Sequence, residues 1–241
     1  VYSYLASCTL GANVENGWIL ATGAANLTGN ALDNRLYGAA AANVLNGAAG
    51  NDTLDGGSGN DTLWGGTGAD SLTGGDGNDA YYLDDTGDSV TETNANPATG
   101  GIDTVFSYLA SHTLGANIEN GRILTAAAAD LTGNGLDNLL QGGSGSNRLA
   151  GGLGNDTLAG GSGADFFRFD SLPDATTNRD TISDFSVPDD TIELENSVFA
   201  SLASGPLAAG SFRSGAGITA AADTDDFLIY DSSSGALYYD A

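Results

Sequence analysis

The sequence contains few of the residues on which many enzymes and stable extracellular proteins depend. Among its 241 residues there are one cysteine, one histidine, no methionine and no lysine. Cys8 cannot form an internal disulfide alone, so the chain must obtain its stability in another way. No apolar run is long enough to cross a bilayer as a helix, and we therefore expect no membrane span.

These absences weigh against common catalytic centres. His112 is the sole histidine, so an H-E-x-x-H zinc motif is impossible. No G-x-S-x-G nucleophile elbow occurs, and a serine nucleophile would have only His112 as its base. The glycines form no complete G-x-G-x-x-G dinucleotide fingerprint. We predict that the chain is not an enzyme.

Positive charge is also scarce. Acidic residues number 31 against six arginines, which gives a formal net charge of −25. Such a chain repels nucleic acid and anionic lipid, and it needs counter-ions to become compact. Because 41% of the residues are hydrophobic, we expect a folded chain once counter-ions are bound and disorder without them.

Glycine is abundant, with 37 residues, and much of it recurs at a spacing of nine. Six nonapeptides begin at Gly29, Gly38, Gly47, Gly56, Gly65 and Gly74, and four more begin at Gly133, Gly142, Gly151 and Gly160. The eighth position of each unit is apolar: Leu36, Leu45, Leu54, Leu63, Leu72, Tyr81, Leu140, Leu149, Leu158 and Phe167. A spacing of nine fits neither a helix nor a simple alternating strand.

The chain also contains a duplication. Residues 1–38 and 105–142 are identical at 27 of 38 aligned positions, and each copy begins with an apolar, strand-like lead before its repeats. After Phe169 the repeat is lost, and short strands around 179–185 and 189–194 and a hairpin within 226–240 are predicted instead. We expect three regions: 1–104, 105–169 and a C-terminal β cap at 170–241.

The repeat pattern predicts an all-β fold. Paired glycines permit a tight turn, and the short tail of each unit is extended with one side chain pointing inward. Two units make one coil of about eighteen residues, so that every second turn stacks on the same edge. We therefore predict two parallel β-roll (β-solenoid) blocks with strand-rich leads and an internal ladder of apolar side chains.

The same stacking predicts calcium sites. Calcium prefers several carboxylate and carbonyl oxygens in an adaptable cage. Stacked turns would pair Asp52 with Asp70 and Asp61 with Asp79, and Asp156 and Asp165 stand at the same position in the second block. The turn glycines offer carbonyl ligands, namely Gly57, Gly59, Gly66, Gly68, Gly75, Gly77, Gly152, Gly154, Gly161 and Gly163.

Four units carry asparagine in place of this aspartate. They are Asn34, Asn43, Asn138 and Asn147, and their partners two turns on are Asp52, Asp61, Asp156 and Asp165. The asparagines either complete weaker calcium sites or satisfy backbone groups of the turn, and the sequence favours neither interpretation.

With these motifs in place, residues 29–82 and 133–168 resemble the RTX family of calcium-binding parallel β-rolls. The stretch from Gly160 to Phe185 is similar to the C-terminal roll and cap of serralysin-type secreted proteins. That resemblance implies Asp180 and Asp184 as further candidates for the last calcium site. It also implies bacterial origin, export by a type I system, and a place behind upstream domains of a longer polypeptide.

The resemblance implies a non-catalytic calcium-binding module that folds on binding calcium after secretion. An alternative is a calcium-stabilised adhesin or polysaccharide-binding module at the cell surface, with exposed aromatics such as Trp64, Trp18 and Tyr37 facing extracellular polysaccharide. A further alternative is the non-catalytic C-terminal region of a secreted protease, lipase or epimerase.

Overall fold

The computed structural model describes residues 1–96, 98–223 and 226–240. Its architecture is all-β, a parallel β-solenoid of about 13 turns. A 3-10 helix at Ala209–Ser211 is the single helix among the described residues. Accordingly, no helix in those three ranges has the length and apolarity to cross a membrane.

Sheet 1 forms one wall of the amino-terminal half. Its strands are parallel and neighbours in the order given, and each follows its predecessor by about one coil. They are β1 (Tyr2–Ser3), β3 (Asn16–Ile19), β5 (Arg35–Tyr37), β7 (Thr53–Ser58), β9 (Ser71–Asp76) and β11 (Ser89–Thr91).

Sheet 2 forms the opposite wall of that half and continues along the second half. Its ten strands are likewise parallel neighbours in order. They are β2 (Ser7–Thr9), β4 (Ala25–Thr28), β6 (Asn43–Ala49), β8 (Thr62–Thr67), β10 (Ala80–Leu83), β12 (Thr104–Ser107), β14 (Asn120–Ile123), β16 (Leu139–Gln141), β18 (Thr157–Ala159) and β20 (Thr181–Ile182).

Sheet 3 is the second wall of the carboxyl-terminal half, and sheet 4 lies after the solenoid. Sheet 3 contains β13 (Ser111–Thr113), β15 (Ala129–Thr132), β17 (Asn147–Ala150), β19 (Phe166–Phe169) and β21 (Thr191–Leu194). Sheet 4 contains β22 (Phe212–Gly215), β23 (Leu228–Asp231) and β24 (Ala236–Tyr239). β23 and β24 are antiparallel, as the predicted hairpin requires.

The two predicted blocks share one continuous sheet. β10, at the end of the first block, pairs in parallel with β12, at the start of the second lead, with Tyr81 opposite Val105. The leads also supply strands of the solenoid, and the segment between the blocks contributes β11. Pro97 of that segment lies outside the described residues. Where independent folding units begin and end along this sheet stays a prediction.

The predicted apolar ladder is confirmed. All ten side chains at position eight are fully buried in one core cluster. Parallel register explains this, because Leu45 pairs with Leu63 and Leu63 pairs with Tyr81 on successive coils. The same core continues through the leads with Leu27 and Leu131. Each coil therefore buries apolar side chains mainly against the coils above and below it.

Two adjacent leucines of β16 offer a matched test of this ladder. Leu140 is fully buried, whereas its neighbour Leu139 is 37% exposed. Leu140→Ala should lower the free energy of unfolding by about 2 to 5 kcal/mol, because it leaves a cavity in the core. Leu139→Ala should change it by less than about 1 kcal/mol. Urea unfolding followed by circular dichroism measures both, and equal losses would contradict the assigned register.

Candidate metal centre

Each repeat aspartate lies where a glycine-rich turn ends and a strand begins. Asp52 directly precedes β7, Asp61 precedes β8, Asp70 precedes β9 and Asp79 precedes β10. In the second half, Asp156 and Asp165 precede β18 and β19. All six side chains are at least 98% buried. Every second turn therefore places a carboxylate on the same edge, so that successive coils each contribute one.

One carboxylate oxygen of each aspartate binds the backbone of the coil before it. The Asp52 N–H donates to Asp70 Oδ1 at 2.6 Å, and the Asp61 N–H donates to Asp79 Oδ1 at 2.6 Å. The same contact joins Asn34 to Asp52 at 2.6 Å. The predicted pairing of residues eighteen apart is thus present as a column of hydrogen bonds along each edge.

The second carboxylate oxygen has no such partner. Oδ2 is buried without any hydrogen bond in Asp52, Asp61, Asp70, Asp79, Asp156 and Asp165. A buried polar atom without a partner costs free energy, and a buried charge costs more. Six such oxygens at equivalent positions therefore fit a positively charged ligand.

Backbone carbonyl oxygens converge on these free carboxylate oxygens. A Cβ added to Gly56 would stand within 2.8 Å of both Asp61 Oδ2 and the carbonyl oxygen of Gly74. A Cβ on Gly47 would meet Asp52 Oδ2 and the carbonyl oxygen of Gly65 in the same way. Carboxylate and carbonyl oxygens are the ligands that calcium prefers.

The ten glycines predicted as carbonyl ligands all have positive φ, between 90° and 132°, although Gly57, Gly66 and Gly75 lie within β7, β8 and β9. Several of their carbonyls point along the stack, since a Cβ on Gly75 would meet the Gly57 oxygen and one on Gly77 would meet the Gly59 oxygen. Two first glycines of units, Gly65 and Gly74, which sequence reasoning did not select, bring their carbonyl oxygens beside Asp52 Oδ2 and Asp61 Oδ2.

The asparagine units are satisfied internally. Asn43 Oδ1 accepts the Ala39 N–H at 2.7 Å, and Asn147 Oδ1 accepts the Gly143 N–H at 2.7 Å. Asn34 and Asn138 make the equivalent contacts with the N–H groups of residues 30 and 134, at 2.7 and 2.8 Å. These contacts favour the turn-stabilising interpretation of the four asparagines.

Three further aspartates join the columns. Asp88 Oδ1 accepts the Asp70 N–H at 3.1 Å, Asp103 Oδ1 accepts the Asp79 N–H at 2.7 Å, and Asp190 Oδ1 accepts the Asp165 N–H at 2.9 Å. Asp88 was identifiable, because it lies nine residues after Asp79. Asp103 and Asp190 follow insertions, which shift them out of the period.

Two of these added residues end their columns with a satisfied carboxylate. Asp88 Oδ2 accepts the N–H groups of Asp84 and Asp85, at 3.1 and 3.0 Å. Asp190 Oδ2 accepts the Ser186 N–H at 2.7 Å. The two columns that end at Asp88 and Asp190 thus begin with an asparagine, Asn34 or Asn147. Each ends with a carboxylate that accepts hydrogen bonds from nearby backbone N–H groups.

The two cap candidates lie beside the second block. Asp180 Oδ1 accepts the Asp156 N–H at 3.1 Å and so continues that column. Asp184 instead binds the last glycine turn, accepting the N–H groups of Gly160 and Gly161 at 2.9 Å each. Asp180 therefore occupies a repeat-like position, whereas both oxygens of Asp184 are engaged by backbone.

Burial raises the pKa of these carboxyl groups. Desolvation is the largest cause, and it raises the pKa of Asp61 and Asp156 to about 7, assisted by the neighbouring carboxylates of Asp79 and Asp180. Desolvation likewise raises the pKa of Asp52, Asp70 and Asp79 to about 6. A charge that this environment disfavours is stabilised by a bound cation.

Outward-facing aromatic side chains form two stacks on the walls. Tyr2, Trp18 and Tyr37 stack on sheet 1, with ring centroids 5.1 Å apart at both steps. Trp64, Tyr82 and Phe106 stack on sheet 2, with spacings of 5.3 and 4.9 Å. Trp64 is 38% exposed, and Trp18 and Tyr37 are partly exposed.

The raised pKa values predict an unusual pH dependence without metal. Aspartates of the unfolded chain have a pKa of 3.8, whereas the pKa of Asp61 in the folded chain is raised to about 7. The folded state therefore binds more protons between these values, and its stability falls as pH rises through 6 to 7. The pKa values of Asp174 and Asp231 are lowered by hydrogen bonds, so these two residues change the pH dependence of stability only below pH 3.8.

In excess chelator, the urea midpoint should therefore rise as pH is lowered from 8 to 5. Circular dichroism at three or four pH values measures it. A midpoint that falls over this range would show that the buried carboxylates do not govern the stability of the metal-free chain.

Comparison with known proteins identifies these repeats. A family model of the RTX calcium-binding nonapeptide repeat, spanning four copies, matches residues 28–63, 55–90 and 132–167. A search of curated proteins found no match. The second match extends to residue 90 and so includes the unit that contains Asp88. These segments are therefore similar to RTX calcium-binding nonapeptide repeats, and the parallel solenoid fits an RTX β-roll.

Proposed function

We propose that this chain is a non-catalytic calcium-binding module of a secreted bacterial protein, and that it folds when its turns bind calcium outside the cell. One observation carries the proposal: six buried aspartates each commit Oδ1 to the neighbouring coil and leave Oδ2 buried without a partner. Glycine carbonyls lie beside these atoms at Asp52 and Asp61.

Electrostatics support a coupling between calcium and folding. Two carboxylates about 4 Å apart repel by about 4 kcal/mol at an effective dielectric of about 20. Folding stacks several carboxylates in columns, and the net charge of −25 adds long-range repulsion. Calcium at about one hundred times its Kd stabilises the folded state by about 2.7 kcal/mol per site. Several sites together would therefore determine whether the solenoid forms.

Secretion supplies the setting in which such coupling is useful. Proteins with RTX repeats are generally secreted bacterial proteins. A chain that stays loose where calcium is scarce and folds where calcium is abundant would suit export, and type I export and upstream domains belong to this proposal. The six buried repeat aspartates are engaged in the columns, which supports a structural role for them.

A calcium titration tests the proposal. At pH 8 in chelator the far-ultraviolet circular dichroism should lack full β signal, and added calcium should restore it cooperatively. Asp70→Asn keeps the acceptor for the Asp52 N–H but removes the charge, so it should abolish the Asp52–Asp70 site and raise the calcium midpoint several-fold.

Asp130→Asn is the matched control, because Asp130 is an exposed residue of β15 outside the columns. It should leave the number of bound ions unchanged by calorimetry. Full β signal in excess chelator would contradict calcium-driven folding, and equal ion counts for the two variants would contradict the site at Asp70.

A second candidate function follows from the aromatic stacks. Because sugar rings pack against aromatic faces, an exposed column of rings on a flat wall would suit an extracellular polysaccharide. The stack of Trp64, Tyr82 and Phe106 favours this adhesive role. On sheet 2 Trp64 is exposed, and Tyr82 and Phe106 are partly exposed.

Trp64→Ala tests this second role without touching the core, since Trp64 is 38% exposed. On a glycan array, the calcium-loaded chain should bind one class of polysaccharide and the variant should lose most of that signal. Val44→Ala, an exposed change on the neighbouring strand β6, is the control. A wild-type chain that binds no glycan would exclude the adhesive role and leave the folding module.

A further inference from the structure

The junction between the two blocks departs from the repeat at three points. Tyr81 stands at position eight, where the other five repeats of the first block have leucine. Thr91 of β11 pairs with Thr73 of β9. Glu92, the next residue, therefore takes the position on its coil that Gly74 takes on the coil before. Asp103 takes the column position one coil after Asp79, although it lies 24 residues further along the chain. These three changes meet in one place.

At this junction three acidic side chains face one another. One carboxylate oxygen from each of Asp79, Glu92 and Asp103 lies within 4.8 Å of the others. All three residues are buried, with exposed fractions of 2, 6 and 1%. Among the described residues, every ion pair of an arginine with an acidic side chain involves Arg148 or Arg168, far from this junction in sequence.

The cluster contains oxygens that nothing in the described chain satisfies. Glu92 Oε1 accepts the Tyr81 hydroxyl and the Gly75 N–H, the latter at 3.3 Å, but Glu92 Oε2 is buried without a partner. Asp79 Oδ2 is likewise buried and unpartnered. A glutamate that is 94% buried, with one unpartnered oxygen beside two other carboxylates, favours a bound cation.

The donor set around Gly74 is made of oxygen alone. A Cβ at Gly74 would meet the Tyr81 hydroxyl, Asp79 Oδ2 and Glu92 Oε1 at once. Hard cations such as calcium prefer oxygen ligands, and affinity grows with the number of charged ligands. This junction supplies three carboxylates, whereas a regular repeat site supplies two.

The second block lacks this third carboxylate. Asp156 and Asp180 repeat the arrangement of Asp79 and Asp103, again with a separation of 24 residues. Arg168 pairs with Ala150, so the next residue, Phe169, lies one coil after Gly151. Phe169 therefore takes the position that Glu92 takes in the first block, one coil after Gly74. Phe169 packs against the apolar core. The glutamate therefore distinguishes the junction from the corresponding point of the duplicated half.

We propose that Asp79, Glu92 and Asp103 form a separate calcium site, tighter than the repeat sites, that joins the first block to the second lead. Asp79 immediately precedes β10, Asp103 immediately precedes β12, and Glu92 follows β11. One ion would thus connect three strands on both sides of the inserted loop. This site rests on the proposed function, because it is assigned to the same ion, calcium.

Glu92→Gln tests the site with the smallest change. Glutamine keeps an oxygen for the Tyr81 hydroxyl and the Gly75 N–H but removes the charge. Calcium calorimetry should show the tightest class of site weakened about tenfold or more, or lost as one ion per chain. Glu15→Gln, at the exposed glutamate of the first lead, is the control and should bind like the wild type.

Terbium provides a second measurement that remains informative if Glu92→Gln does not fold. The buried Tyr81 ring lies against Glu92 and should sensitise terbium luminescence from this site. Tyr81→Phe should remove most of the luminescence of the first terbium bound. A phenylalanine fits this kind of position, because Phe167, at position eight of the last repeat of the second block, is fully buried.

The outcomes separate the two proposals. If the wild-type chain neither binds calcium nor folds with it, the proposed function fails. If it does both, but Glu92→Gln and Glu15→Gln bind calcium equally, the junction site alone is overturned. Equal terbium luminescence from the wild type and Tyr81→Phe also overturns it.

Discussion

The structure depends on a hydrogen bond between an aspartate carboxylate and the backbone of the preceding coil. The Asp52 N–H donates to Asp70 Oδ1, and the same contact recurs along both edges of the solenoid. It fixes the spacing of coils and holds one carboxylate above the next, away from water. The contact that builds the stack therefore also creates a column of buried negative charge, which only positive charge can offset.

Within the aspartate-bearing repeats, the apolar core and this column form together. In each aspartate-bearing unit the buried apolar side chain lies two residues after the aspartate, as Leu63 follows Asp61 and Leu72 follows Asp70. Parallel pairing stacks the leucines in the same step that stacks the carboxylates. Apolar burial and carboxylate burial thus rise together with each coil added. This linkage explains how a fold with a large apolar ladder can still depend on an ion for its stability.

The regular features were predictable because a period of nine leaves few alternatives. The burial of all ten side chains at position eight, and the pairing of Asp61 with Asp79, follow from stacking every second turn. Asp103 was not predictable, because the inserted residues before it form a loop that leaves the register of the strands intact. The role of Asn43 was undetermined for another reason. An asparagine amide and an aspartate carboxylate both offer an acceptor oxygen at this position. Only the structure shows that Asn43 Oδ1 accepts the Ala39 N–H and so stabilises its own turn.

The order of amide and carboxylate units along each block has a physical consequence. The first turns of each block, those of Asn34 and Asn138, bind their own backbone and bury no charge. They can stack on the leads without a cation, and their N–H groups offer the first donors to Asp52 and Asp156. A neutral coil at the start of a column therefore gives the first charged coil a template on which to form. The duplicated chain contains two such starting points, one before β5 of sheet 1 and one before β16 of sheet 2, which favours growth of the solenoid toward the carboxyl end of each block.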